Sequence, residues 1–175
     1  MKKIIEGLSK FQEEVFPHHQ ELFSELASGQ RPEALLITCS DSRIDPTLLT
    51  QTKPGDLFII RNAGNIVPPS TVTGSTNSTA AAIEFAVHVL EVSDIVVCGH
   101  TQCGAMAALL NGLPDAAAMP HAAAWLEIAA PVREIVRRQY VGLDADASAT
   151  AAAEENVLLA LENLHGYPLV AERLQ

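Results

Sequence analysis

The sequence predicts an α/β fold in which a mostly parallel central sheet is flanked by helices and preceded by a helical arm at the amino terminus. Three observations predict it. Short apolar, β-branched runs at residues 34–38, 57–61 and 94–97 read as buried strands. Each gives way to a polar loop and then to a stretch with helical spacing, the alternation that builds parallel sheets. Before the first strand, only helical periodicity is found. The 175 residues are 48% hydrophobic and 18% charged, enough for one domain with a substantial core. Within that domain the sequence divides into an arm at 1–30, a sheet core at 31–112 that carries the candidate metal site, and a helical part at 113–175.

In the arm, Ile4, Leu8, Phe11 and Val15 recur at helical spacing and Pro17 is expected to close the helix. A second helix over 19–27 turns Leu22, Phe23 and Leu26 inward and stops at Ser28-Gly29. The adjacent His18 and His19 lie on a polar surface and read as solvated. Arg31-Pro32 opens the first strand, which ends in Thr38-Cys39-Ser40-Asp41-Ser42-Arg43. Asp45 then caps a short helix with Pro46 at its first position. The turn 53–56 leads to the second strand, which ends in Arg61-Asn62-Ala63-Gly64-Asn65. Residues 67–78 form a Pro, Ser, Thr and Gly loop, in which the isolated Gly74 makes no dinucleotide fingerprint. A helix over 80–90 follows, then the third strand and Cys98-Gly99-His100-Thr101-Gln102-Cys103-Gly104, then a helix ending at Asn111-Gly112. Beyond it Trp125, Ile128, Val132, Val136 and Tyr140 keep helical spacing with Pro131 as a kink, and Trp125 reads as core. Residues 142–148 read as a surface loop before a last helical stretch containing Val157, Leu158, Leu161 and Leu164.

A strand order 2-1-3 would bring the loops after the first and third strands face to face, at the switch point where open α/β sheets bind ligands. Those loops carry Cys39 on one side and His100 and Cys103 on the other. Two thiolates and one imidazole suit Zn²⁺ and leave a fourth tetrahedral position for water. Cys98, at the end of an apolar strand, reads as a core cysteine. Asp41 can accept a hydrogen bond from that water while Arg43 holds its carboxylate ionised; the plainer reading has both residues only cap the next helix.

The formal net charge of -10 argues against nucleic acid or anionic membrane as partners. Glu6, Ser9, Lys10 and Glu13 interrupt any leader-like run after Met1, and no stretch approaches a membrane span, so a cytoplasmic protein is expected.

Cys39-Ser40-Asp41-Ser42-Arg43, the 56–65 segment Asp-Leu-Phe-Ile-Ile-Arg-Asn-Ala-Gly-Asn and the 98–105 segment Cys-Gly-His-Thr-Gln-Cys-Gly-Ala resemble the β-class carbonic anhydrases, and most closely their bacterial and cyanobacterial members. The resemblance runs along nearly the whole chain. It implies zinc on Cys39, His100 and Cys103, an Asp41-Arg43 dyad, and reversible hydration of CO2 to bicarbonate by a zinc-bound hydroxide. It further implies that Gln30 donates a hydrogen bond to substrate, and that Phe58, Ala63, Phe85 and Gly104 contribute to the substrate pocket, Phe85 from a partner subunit. It implies a homo-oligomer, dimer or tetramer, assembled through the arm and located in the cytoplasm or in a carboxysome there. Some members of the family use a Trp three positions before the first cysteine to close the site at low pH. Leu36 stands there in this sequence, which predicts an open site with Asp41 off the metal. The family normally adds a further carboxyl-terminal strand, which these 175 residues are expected to lack. Hydrolysis of CS2 or COS on the same centre, or a zinc-bearing scaffold without turnover, remain competing readings.

Overall fold

A computed structural model describes residues 1–71 and 76–174; the centre of the expected 67–78 loop, including Gly74, lies outside the described residues. The chain forms two compact units, Met1–Arg31 and Pro32–Gln175.

The first unit is helical: α1 spans Lys2–Lys10 and α2 spans Gln20–Leu26. Pro17 does not end the helix as expected. A wide helical turn over Phe11–Val15 and a tight one over Phe16–His19 carry the chain past it, absorbing the backbone hydrogen bond that proline cannot donate. The rings of Phe11, Phe16 and Phe23 close on one another, with Phe16 and Phe23 stacked at 5.3 Å. His18 and His19 are exposed, as expected.

In the second unit, β1 (Ala34–Cys39), β2 (Leu57–Asn62) and β3 (Asp94–Cys98) form an all-parallel sheet in the order β2-β1-β3. The sequence alone does not fix this order; it is the arrangement that sets the loops after the first and third strands side by side. Every residue of β1 is buried, because it has a neighbour on both sides and apolar clusters against it. The outer strands are less buried than their sequences suggest. Ile59 and Val96, both in register with Leu36, are 37% and 46% exposed, and Cys98 is half-buried rather than core. An apolar strand at a sheet edge reads like a central one, since hydropathy records composition and not neighbours.

Leu35, Ile37 and Ile60 pack against Ile83 and Val87 of α4 (Ser78–His88) and Val170 of α9 (Pro168–Arg173). A second cluster joins Cys39 and Cys103 to Met106 and Leu109 of α5 (Gly104–Asn111), Leu126 of α6 (Pro120–Glu127), and Val132 and Val136 of α7 (Ala130–Gln139). Helix α8 (Ala145–His165) serves both clusters, the second through Ala151, Ala152 and Ala153 and the first through Ala160 and Leu164. Alanines let its backbone come close: a Cβ on Gly99 would meet the Ala153 carbonyl oxygen at 3.3 Å. Two boundaries differ from expectation. Pro131 begins α7 instead of kinking one long helix, since proline fits a first turn without losing a bond. Asp144 caps α8 by accepting from the Ala147 amide, so the helix starts inside the expected 142–148 loop. The short helix α3 (Pro46–Thr50) is capped by Asp45 as predicted. No helix among the described residues is long and apolar enough to cross a membrane.

Candidate metal centre

Parallel strands that start in register end in register. Thr38 of β1 pairs with Cys98 of β3, and Cys39 pairs with Asn62 of β2, so all three strand-end loops emerge at one rim of the sheet. There the sulfurs of Cys39 and Cys103 and a ring nitrogen of His100 lie within 4.8 Å of one another. The sulfurs are 4.0 Å apart, the spacing of two thiolates each about 2.3 Å from a shared tetrahedral centre. His100 Nδ1 is 2.8 Å from the Thr101 carbonyl oxygen. A carbonyl cannot donate, so Nδ1 carries a proton, and in the neutral ring the lone pair then lies on Nε2. That Nε2 is buried without a hydrogen-bond partner, which is the state of a ligand atom facing a metal.

The hydrogen bond between the facing Cys39 and Cys103 sulfurs, opposed by burial and helped by the Asp41 and Gly64 amides, pulls the Cys39 thiol well below its ordinary range. Cys103 is pushed upward by its bond to the Cys39 thiolate and by burial. The donor set, two sulfurs and one imidazole nitrogen, fits a soft divalent cation of the zinc type.

Asp41 sits beside this group, with Oδ2 3.9 Å from His100 Nε2. Arg43 donates to Asp41 from Nε, Nη2 and its backbone amide at 2.9, 2.8 and 3.0 Å. The Arg43 side-chain bonds, then its backbone bond, hold the Asp41 carboxyl well below the usual carboxylate range. Asp41 is therefore turned onto Arg43 and ionised.

Several further residues position these groups, and of them Trp125 and Asn156 carry no signal of this role in the sequence. Gln102, at φ 54°, presents its carbonyl oxygen and Oε1 to Arg43. Arg61 donates to the carbonyls of Cys39 and Asp41, clamping the first loop from β2. The Ala63-Gly64 turn reaches the centre through the Gly64 amide, 3.4 Å from Cys39 Sγ. It is held from outside by Trp125 Nε1, which donates to Ala63 O at 2.8 Å, and by Asn156 Nδ2, which donates to Gly64 O at 2.9 Å. Trp125 is half-buried at the edge of the second cluster, less deep than its expected core position because its N–H is spent on this turn. Gln102 and the Arg61–Asn65 loop are legible as polar sequence at strand ends.

Of the residues expected to touch substrate, Ala63 and Gly104 adjoin the metal loops, and a Cβ on Gly104 would meet nothing within 4 Å. Phe58 does not reach the ligands of its own chain. It pairs with Leu35, four residues or about 13 Å along the strand from Cys39. Its ring lies 6.0 Å from that of Phe85, which is 44% exposed. Gln30 belongs to the first unit.

The sequence profile of the family described as "Carbonic anhydrase" matches residues 34–175, the whole of the unit that carries this centre. The chain belongs to the β-carbonic anhydrases. It is 46% identical over 175 residues to a carbonic anhydrase of Synechococcus elongatus, covering 99% of this chain and 63% of that relative. The chain thus spans less than two thirds of the length of that cyanobacterial carbonic anhydrase. Its fold matches the solved structure of the β-carbonic anhydrase CcaA with a TM-score of 0.94 at 44% identity, covering 99% of this chain and 84% of that one. A tetrameric β-carbonic anhydrase from Sordaria macrospora matches with a TM-score of 0.76 at 33% identity, over 99% of this chain and 81% of that one.

Proposed function

We propose that this β-carbonic anhydrase binds Zn²⁺ through Cys39, His100 and Cys103 and catalyses the reversible hydration of CO2 to bicarbonate and a proton. The observation that carries the reading is the placement of an ionised Asp41 within 3.9 Å of an unpartnered His100 Nε2, at the mouth of a two-sulfur, one-nitrogen cluster. Zinc held there would make a coordinated water acidic enough to attack carbon near neutral pH. Asp41, acceptor-only in its ionised state, would hold the proton of the attacking group and so aim its lone pair at CO2. Arg43 keeps Asp41 in that role and off the metal, and Leu36 supports the open form.

Gln30 would donate to a substrate oxygen, and Ala63, Gly104, Phe58 and Phe85 would shape an apolar pocket. The separation of Phe58 and Phe85 from the metal loops of their own chain supports their contributing across a subunit interface. Exposed Ile4, Ile5 and Leu8 on α1 support a homo-oligomer, and the Sordaria relative is a tetramer.

Metal analysis combined with parallel assays of CO2 hydration and of sulfide release from CS2 and COS tests the proposal. Near-stoichiometric zinc with hydration and no sulfide release is expected. Zinc-replete protein that releases sulfide, or that turns over none of the three, would overturn it.

A further inference from the structure

Trp125 is the sole tryptophan of the chain, and its Nε1–H donates to the carbonyl oxygen of Ala63 at 2.8 Å. The same peptide unit carries the Gly64 N–H that donates to Cys39 Sγ at 3.4 Å. In a trans peptide the C=O and N–H point in opposite directions, so the indole and the sulfur grip one amide from its two ends. Donation to the carbonyl polarises the amide and strengthens its N–H as a donor, since hydrogen bonds in a chain reinforce one another. The next peptide unit is held separately, by Asn156 Nδ2 on the Gly64 carbonyl, so the Trp125 bond is not needed merely to anchor the turn. Gly64 adopts φ 81°, and this left-handed position aims the amide inward.

We propose that Trp125 is a positioning residue for the metal centre: its indole N–H orients and polarises the Ala63–Gly64 peptide, which in turn withdraws charge from the Cys39 thiolate. Hydrogen-bonded partners of a ligand tune the ligand's donor strength, and a thiolate that gives up charge to an N–H leaves the ion more electrophilic. The inference rests on the reading of Cys39, His100 and Cys103 as metal ligands.

The test uses Co²⁺-substituted protein and reads the thiolate-to-cobalt charge-transfer band, whose energy reports the charge on sulfur. Two changes remove the N–H. W125F removes it together with part of the ring, and replacement of Trp125 by benzothienylalanine swaps only the N–H for a sulfur while keeping the shape of the ring. Both proteins are expected to show the band at longer wavelength than the wild type, and with zinc restored, a hydration profile displaced to higher pH. A band that stays in place with benzothienylalanine overturns the inference, whatever W125F does, because Trp125 would then act by packing alone. Absence of the band in the wild type would instead overturn the metal assignment itself, and the inference with it.

Discussion

The guanidinium of Arg43 meets both carboxylate oxygens of Asp41, Nε to Oδ1 at 2.9 Å and Nη2 to Oδ2 at 2.8 Å, and the same Nη2 also donates to the Gln102 carbonyl at 2.9 Å. Arg43 therefore ties the loop after β1 to the loop after β3 while fixing the Asp41 carboxylate beside the proposed ligand His100. Arg43→Ala is expected to lower the hydration rate by about 10²-fold or more, the usual worth of a positioned proton-handling group, with zinc content unchanged. Arg43→Lys should rescue little, because a point charge cannot make the fork. Hydration rates beside metal analysis of each variant check this. A parallel loss of zinc would make the pair a structural clamp.

Removing the metal should not unfold the protein. Cys39 and Cys103 belong to a cluster that also contains Met106, Leu109, Val132 and Val136, apolar contacts that need no metal, and a separate cluster packs Leu35, Ile37 and Ile60 against α4 and α9. After dialysis against a chelator, far-ultraviolet circular dichroism is expected to stay near that of the zinc form while hydration falls to background. Cys103→Ser should give the same pair of results. Collapse of the helical signal on chelation would place the metal among the supports of the fold.

Gly64 occupies φ 81°, and a Cβ there would stand 2.8 Å from Met106 Cε and 3.0 Å from Ala105 Cβ. Met106 can yield but Ala105 cannot, so Gly64→Ala combines left-handed strain with overpacking. Together these cost roughly 2–4 kcal/mol. Urea denaturation at fixed zinc saturation measures it, and a cost below about 1 kcal/mol would mean that the turn relaxes freely.

Much of this site is legible in the sequence, and the reason is local. Cys39, Asp41 and Arg43, and His100 and Cys103, each share a short loop, so spacing alone brings each set to a strand end. The order of the three strands is not legible in this way, because which strands pair is decided by contacts between segments far apart in the chain. What joins the sets is not local: Arg43 to Gln102, Asn156 to Gly64 and Trp125 to Ala63 cross 59, 92 and 62 residues. None of these partners differs in type from an ordinary surface or core residue. Edge exposure of β2 and β3 was hidden for a similar reason, because burial depends on neighbours that the strand's own residues do not name.

Alkaline titration probes the first cluster from another side. The Tyr167 hydroxyl is buried and donates to the Pro68 carbonyl at 2.9 Å; burial, and then the charge of Glu84, push it up to about 12. The protonated form is thus favoured by folding. Its contribution to stability is complete below the unfolded value near 10 and is lost as pH rises through about 12. Tyr140, bonded to Glu155 at 2.6 Å, is raised as well. Phenolate absorbance should therefore show no tyrosine titrating normally, and the Tyr167 step should coincide with loss of structure. A full step near pH 10 in native protein would refute the burial of Tyr167.

Three ligands and an Arg43-held Asp41 are proposed to make a hydration catalyst. The stopped-flow rate of CO2 hydration against pH, on protein of known zinc content, tests it most directly. A rate that rises with pH through a single ionisation is predicted, with Asp41, held far below the usual range by Arg43, adding no second step on the acid side. Zinc-replete protein with no measurable hydration at any pH would contradict the account.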